Sequence, residues 1–196
     1  VGSEMCIRDR YTAAYNADDP KIKLKIDHTY RVAALCERIA KAVGMCAYDV
    51  ELAWLSGMLH DVGRFEQIKR YNTFSDADSV DHAKFGADLL FKDGLISTFL
   101  NGMVKCTGYK PGALEDRYSS DGVFLYDRLN KSDMEMLELA IRCHNMYRIP
   151  QGLNSREQAF CNVLRDADKV DIFKVNIDTP LEEIYNTTTE ELMKSD

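Results

Sequence analysis

The sequence predicts an all-α protein folded as a compact helical bundle. Apolar residues recur at helical spacing along several stretches, and residues typical of helix N-caps precede those stretches. No stretch of useful length alternates with the period of two that a β-strand requires. A chain of 196 residues, 45% hydrophobic and 29% charged, is long enough for one globular domain with a sizeable core.

The first two predicted helices each carry a histidine. Asp19 and Pro20 supply an N-cap and a first-turn proline, and the apolar stripe that follows includes His28. A second helix is predicted at about 48–60, with Gly63 as the stop signal. A His-Asp pair therefore lies at the C-terminal end of this helix.

The middle of the chain contains a third helix between less regular segments. Residues 64–78 are polar and aromatic and predict a loop with a short helical turn. Ser79 is predicted to cap a helix that ends near Phe91 and carries His82 on its inner side. Four glycines predict a long irregular segment over 101–131, where we expect substrate selection to reside.

Two later helices are predicted from capping boxes. The box at 132–135 opens a helix that reaches His144, and the box at 155–158 opens a helix whose apolar stripe contains Asp168. A carboxylate on an inward face needs a cationic partner, because burying its charge alone is costly. An arginine or a metal ion would meet that need.

The chain divides into three predicted parts. Residues 1–10 show no periodicity, and we expect a non-native or disordered leader there. Residues 11–178 form the helical domain. Residues 179–196 open like a further helix, and we expect the native chain to continue beyond it.

Composition narrows the classes of function. A net charge of −7 disfavours an extended nucleic-acid footprint and anionic membranes, and the apolar runs are too short for a membrane span. The 6 cysteines include no C-x-x-C pair, which suits buried thiols in a reducing compartment. We therefore expect a cytoplasmic protein, and an oligomer is compatible with the sequence.

All 4 histidines and two aspartates fall on inward helix faces or helix ends. Taken singly, each histidine is more often a hydrogen-bonded core residue. Together, imidazoles and carboxylates from separate helices predict a metal site between helices, holding one or two divalent ions (Mn, Fe, Mg, Ni, Co or Zn). The predicted ligands are His28, His60, Asp61, His82, His144 and Asp168.

The order H…HD…H…H…D, with the segments 28–32, 59–64, 80–83 and 166–171, resembles the HD-domain superfamily of metal-dependent phosphohydrolases. The resemblance covers roughly 21–174. It implies an all-helical fold of the HD-domain type around the metal. The chain departs from the cyclic-di-GMP phosphodiesterase branch, because it lacks that branch's HHE and GYP elements.

The resemblance also implies roles for the six ligands. His28, His60, Asp61 and Asp168 would be the core metal ligands, as in the family. In two-metal members Asp61 would bridge the ions. His82 and His144 would complete the shell of the second ion.

The predicted reaction is hydrolysis of a phosphate ester by metal-activated water, with a nucleotide or small phosphometabolite as substrate. Asp61 and Arg64 are the predicted catalytic residues. Arg64 could clamp a phosphate or serve as a capping residue. Lys169 and Arg31 could bind substrate or pair with neighbouring acids.

Three further predictions concern the surroundings and the rival functions. Asp171 is predicted to orient a ligand histidine from outside the ligand set. The lysines at 21, 23 and 25 are read as a solvated face. The alternative functions are a noncatalytic HD module that binds a nucleotide or partner, and a phosphodiesterase of short oligonucleotides.

Overall fold

A computed structural model describes residues 15–16, 18–105 and 129–178. Within these ranges the chain is helical and forms no strand, which confirms the predicted all-α class. None of the described helices is long and apolar enough to cross a lipid bilayer. The helices are α1 (Pro20–Ala42), α2 (Ala47–Leu59), α3 (Val62–Tyr71), α4 (His82–Ala87), α5 (Leu95–Lys105), α6 (Lys131–Cys143) and α7 (Ser155–Asp178), with a π-helical turn, Asp88–Lys92, directly after α4.

Three predicted segments fall wholly or partly outside the described residues. The leader 1–10 and the C-terminal helix 179–196 lie outside them entirely. Of the irregular segment 101–131, only its two ends are described. Residues 101–105 complete α5, so the prediction of irregular structure is wrong there.

The α1 and α2 helices pack closely, and this packing brings the first two histidines together. The Asp19 carboxylate accepts from the backbone amide of Lys21 and caps α1, as predicted. A Cβ added at Gly57 of α2 would lie 2.6 Å from the Cα of Ala33 in α1, so glycine is needed for this approach. The central core between the helices includes Val32, Leu52, Leu55, Leu137, Phe160 and Leu164.

The α3 helix occupies much of the segment that was predicted as a loop at 64–78. It begins one residue after Asp61 and ends at Tyr71, and the capping residue Asn72 has a left-handed φ of 53°. Phe65 and Ile68 are buried in a second, smaller apolar cluster. The prediction failed because Gly63 was read as a helix stop, whereas it lies inside α3.

Gly63 has a packing role. A Cβ at this position would overlap the carbonyl oxygen of His82 and lie 2.8 Å from the amide nitrogen of Gly86 in α4. Two backbones approach this closely only where no side chain separates them. The contact fixes the start of α4, and with it His82, against the helix that follows Asp61.

The predicted helix caps at 79 and 132–135 are wrong by two residues. Asp81 caps α4 through a hydrogen bond from the Lys84 amide, while the Ser79 hydroxyl donates to the carbonyl of Ser75. In α6 the capping box is formed by Asn130 and Asp133. Several polar residues near each helix start can cap, and the direction from which the chain enters the helix decides between them.

Candidate metal centre

Four histidines and two aspartates meet between the helices. Each of them is at most 4% exposed. They come from the middle of α1, the α2–α3 junction, the first residue of α4, the residue after α6 and the middle of α7. The six are His28, His60, Asp61, His82, His144 and Asp168.

The two carboxylate oxygens of Asp61 face different histidine pairs. Oδ2 lies 3.5 Å from His28 Nε2 and 3.6 Å from His60 Nε2. Oδ1 lies 3.5 Å from His82 Nε2 and 3.7 Å from His144 Nε2. We call the first set (His28, His60 and Asp61) the first triad and the second set (His82, His144 and Asp61) the second triad. Each triad could hold a metal ion, because its three ligand atoms lie within 4.8 Å of one another.

Asp168 lies beside the first triad. Its Oδ1 is 3.2 Å from His28 Nε2 and 3.7 Å from His60 Nε2. Burial raises the pKa of this carboxyl, but its close contacts with the two imidazoles more than reverse that effect, so the net pKa is well below its usual value. Its other oxygen pairs with the ammonium of Lys169 at 3.3 Å. Asp168 is therefore an ionised oxygen donor directed at the first triad.

Backbone carbonyls determine which ring nitrogen carries a hydrogen in two of the imidazoles. Nδ1 of His60 lies 2.7 Å from the carbonyl oxygen of Gly57, and Nδ1 of His144 lies 2.7 Å from that of Ile141. A carbonyl oxygen can only accept, so each Nδ1 carries the hydrogen and donates it. In the neutral imidazole, Nε2 then presents a lone pair to the centre.

Carboxylates accept the Nδ1 hydrogen of the other two imidazoles. His28 Nδ1 donates to Asp171 Oδ2 over 2.7 Å, and His82 Nδ1 donates to Asp76 Oδ2 over 2.6 Å. Burial raises the pKa of both acids. Hydrogen bonds from the imidazoles, together with the neighbouring arginines, more than reverse this effect and lower the pKa to about 2 for Asp171 and well below the usual range for Asp76. Both acids are therefore ionised acceptors.

The result is a site that could hold cations. His28 Nε2 and His60 Nε2 are 3.2 Å apart, and His82 Nε2 and His144 Nε2 are 3.1 Å apart. Burial lowers the pKa of His82 to about 4, which keeps this imidazole neutral near pH 7. Facing lone pairs repel each other unless a positive ion lies between them. Imidazole nitrogens and carboxylate oxygens fit a divalent transition metal in both triads.

Asp76 is a member of the site that sequence reasoning missed. Besides accepting from His82, its carboxylate accepts from Arg64 Nη1 over 2.8 Å and from Gln67 Nε2 over 2.9 Å. Gln67 is fully buried, and it also donates to the Val80 carbonyl. The sequence indicated only that Asp76 lies in a polar segment. Its hydrogen bonds depend on how the chain turns back toward α3, and the sequence pattern does not show that path.

Arg64 is held in place and also has one donor without a hydrogen-bond partner. Its Nη1 donates to Gln67, to the Phe74 carbonyl and to Asp76 at 2.6–2.8 Å. Its Nε is buried without a hydrogen-bond partner and lies 3.9 Å from Asp61 Oδ1. The guanidinium is thus fixed with one N–H group near the second triad.

Of the two predicted roles of Arg31, substrate binding or pairing with a neighbouring acid, the structure shows the ion pair. Its Nε donates to Asp171 Oδ1 over 2.7 Å, and its Nη2 donates to Oδ2 over 3.0 Å. Two parallel bonds of this kind fix a carboxylate in both position and plane. Because Asp171 in turn contacts His28, Arg31 orients that imidazole through the acid between them.

Lys25 contradicts the reading of residues 21, 23 and 25 as a solvated face. Its Nζ donates to Asp61 Oδ2 over 2.8 Å, and its side chain is only 15% exposed. Burial raises the pKa of Asp61, but opposing effects, of which the charge of Lys25 is the largest, bring it well below its usual value. Lys25 was missed because it precedes His28 by three residues and its apolar neighbours suggested an ordinary amphipathic surface.

The fold and the site together define a helical protein with a histidine–aspartate metal centre between its helices. A family model described as HD domain matches residues 26–186, which is most of the chain. The chain therefore belongs to the HD-domain family, as the resemblance implied. No curated protein and no solved structure matches it significantly.

We predict that Asp76→Ala weakens the second triad. Loss of the acceptor frees His82 to rotate or to change tautomer, and removing such a partner typically lowers metal affinity or activity by about 10- to 100-fold. The measurement is a Mn²⁺ titration of metal-stripped protein. Asp78→Ala is the matched control, since Asp78 is an exposed acid in the same loop. Equal affinities in both variants would contradict the role of Asp76.

Proposed function

We propose that this protein is a metal-dependent phosphohydrolase that cleaves a phosphate ester of a nucleotide or small phosphometabolite. The observation that carries the proposal is the convergence of four imidazole Nε2 atoms on the two oxygens of one buried carboxylate, Asp61. Membership of the HD-domain family supports it, because metal-dependent phosphohydrolysis is the general activity of that family.

The ligand set divides between two ions. His28, His60 and Asp168 would hold the first, His82 and His144 would hold the second, and Asp61 would serve both. Divalent ions in such a site supply an activated water and neutralise charge on phosphoryl oxygens. The protein keeps the six side chains dry and fixes each imidazole through its Nδ1 hydrogen bond, which preserves the geometry during turnover.

Two cations near the ligands are our candidates for binding the substrate phosphate. Arg64 presents its unpartnered Nε–H group beside the second triad, and its anchored Nη1 keeps this donor preorganised. Lys169 has a side chain that is 46% exposed beside Asp168, where its ammonium could exchange that carboxylate for a phosphoryl oxygen. Arg31 acts instead as a positioning residue for His28, through Asp171.

The surroundings favour a small substrate. The net charge of −7 opposes long-range attraction of polyanions, so we propose that phosphate recognition depends on the local cations of the centre. We therefore propose a small phosphorylated substrate in a cytoplasmic setting, with no membrane and no extended nucleic acid as partner.

The test is metal removal followed by reconstitution. Protein stripped with a chelator is expected to be inactive, because the ligand set then lacks the ions that activate water and neutralise phosphoryl charge. Activity toward a panel of phosphomonoesters, nucleotides and dinucleotides should return on adding Mn²⁺, Co²⁺, Ni²⁺ or Mg²⁺. Elemental analysis should find one or two ions per chain. A protein that binds no metal and hydrolyses nothing in this panel is not the proposed enzyme.

A further inference from the structure

Lys25 occupies the oxygen of Asp61 that the first triad needs. Its Nζ lies 2.8 Å from Asp61 Oδ2, the same oxygen that faces His28 Nε2 and His60 Nε2. The Lys25 side chain is largely shielded, and its ammonium lies 5.3 Å from the centre of the Phe74 ring. A charge-assisted hydrogen bond this short is among the stronger polar contacts in proteins.

The other cations around the centre are placed differently. Arg31 is held by both oxygens of Asp171, and Arg64 is held by three acceptors in and around the 73–81 loop. Lys169 pairs with the Asp168 oxygen that is turned away from the imidazoles. Arg64 Nε also lies 3.9 Å from Asp61 Oδ1, but among these cations Lys25 makes the shortest contact with an oxygen of a triad, at 2.8 Å.

This placement creates a conflict with a metal ion. A divalent ion held by His28 and His60 would use Asp61 Oδ2 as its oxygen ligand. An ammonium on the same oxygen would repel that ion strongly, because charges interact with little screening in a nearly dry site. Without an ion, the same ammonium compensates a carboxylate whose burial alone would be costly.

We propose that Lys25 is a built-in competitor of the metal at Asp61. Its ammonium neutralises Oδ2 while the protein is metal-free, and it must move aside when an ion enters the first triad. The competition lowers metal affinity below what the ligands alone would provide, and it keeps the metal-free protein folded. This inference rests on the proposed metal centre but not on any particular substrate.

The experiment compares Lys25→Met with two other variants. Methionine keeps an unbranched side chain and removes the charge. Lys25→Arg keeps a cation at the same position, and Lys23→Met removes the same charge from an exposed site on the same helix. Each protein is stripped of metal and titrated with Mn²⁺ by calorimetry, and its unfolding temperature is recorded with and without Mn²⁺.

We expect Lys25→Met to bind at least one Mn²⁺ about tenfold more tightly than the wild type, because no ammonium has to be displaced. Its metal-free form should unfold at a lower temperature, and Mn²⁺ should raise that temperature by more than in the wild type. Lys23→Met should match the wild type in both measurements. Lys25→Arg should remain closer to the wild type than Lys25→Met does.

Several outcomes would overturn the proposal. If the wild type binds Mn²⁺ and hydrolyses phosphate esters while Lys25→Met binds Mn²⁺ equally or more weakly, only the role of Lys25 is refuted. If neither protein binds Mn²⁺, the metal centre and the competition fail together. Should metal-free Lys25→Met fail to fold, the protein is purified with Mn²⁺, and the rate of Mn²⁺ loss to a chelator is measured. Loss slower than from the wild type supports the competition, and equal or faster loss refutes it.

Discussion

Asp61→Ala is expected to lower phosphate-ester hydrolysis by at least about a thousandfold, because both triads lose their shared ligand at once. Oδ2 serves His28 and His60, and Oδ1 serves His82 and His144. No other carboxylate among the described residues faces both histidine pairs. Removal of Asp61 should therefore reduce metal content as well as rate.

Asp61→Asn provides the matched comparison. The amide keeps the shape of the side chain but loses the charge and one oxygen ligand, so it separates the effect of charge from that of a cavity. Metal content is measured by elemental analysis, and turnover is measured on the active substrate. Helicity is measured by circular dichroism. Both variants should remain helical, because the apolar core around α1, α2 and α7 does not include Asp61.

The same variants distinguish the rival functions. A wild-type rate retained in Asp61→Ala would refute the bridging role. A noncatalytic module would instead bind a nucleotide equally well in the wild type and in Asp61→Ala, with no turnover by either protein. The proposed enzyme requires turnover in the wild type and its loss in the variant.

Gly63→Ala is expected to have the largest effect of any single methyl group added near the site. The new Cβ would overlap the His82 carbonyl oxygen and press on the Gly86 amide. Both obstacles are backbone, so they cannot rotate away as a flexible side chain would. Overpacking of this kind typically costs about 1–3 kcal/mol of unfolding free energy. The shift of α4 should also displace His82 and weaken Mn²⁺ binding at the second triad.

Gly152→Ala is the control for this change. Gly152 has a φ of 84° and open space around its missing Cβ. Alanine there should cost only the strain of a left-handed residue, about 1 kcal/mol, and leave Mn²⁺ binding unchanged. Denaturant unfolding and Mn²⁺ titration measure both effects. Equal metal affinity in the two alanine variants would show that the Gly63–Gly86 contact does not position His82.

Helix identity was predictable wherever the periodic signal was long. The stripes around His28 and Asp168 marked α1 and α7, because an amphipathic helix repeats its apolar residues over several turns. The short α3 helix was missed, since one glycine within ten residues outweighed a weak pattern. Cap positions were displaced for a related reason: neighbouring polar residues satisfy the same local pattern, and only the chain path selects one of them.

The sequence by itself determined the all-α class and the six candidate ligands, because both depend on local periodicity and on a distinctive order of histidines and acids. Tertiary structure alone decided which Asp61 oxygen faces which histidine pair, and that Lys25 and Asp76 belong to the centre. Such pairings join residues on separate elements, as Lys25 on α1 joins Asp61 before α3. Their distances depend on how helices cross and how loops return, and no periodic pattern along the chain encodes that geometry.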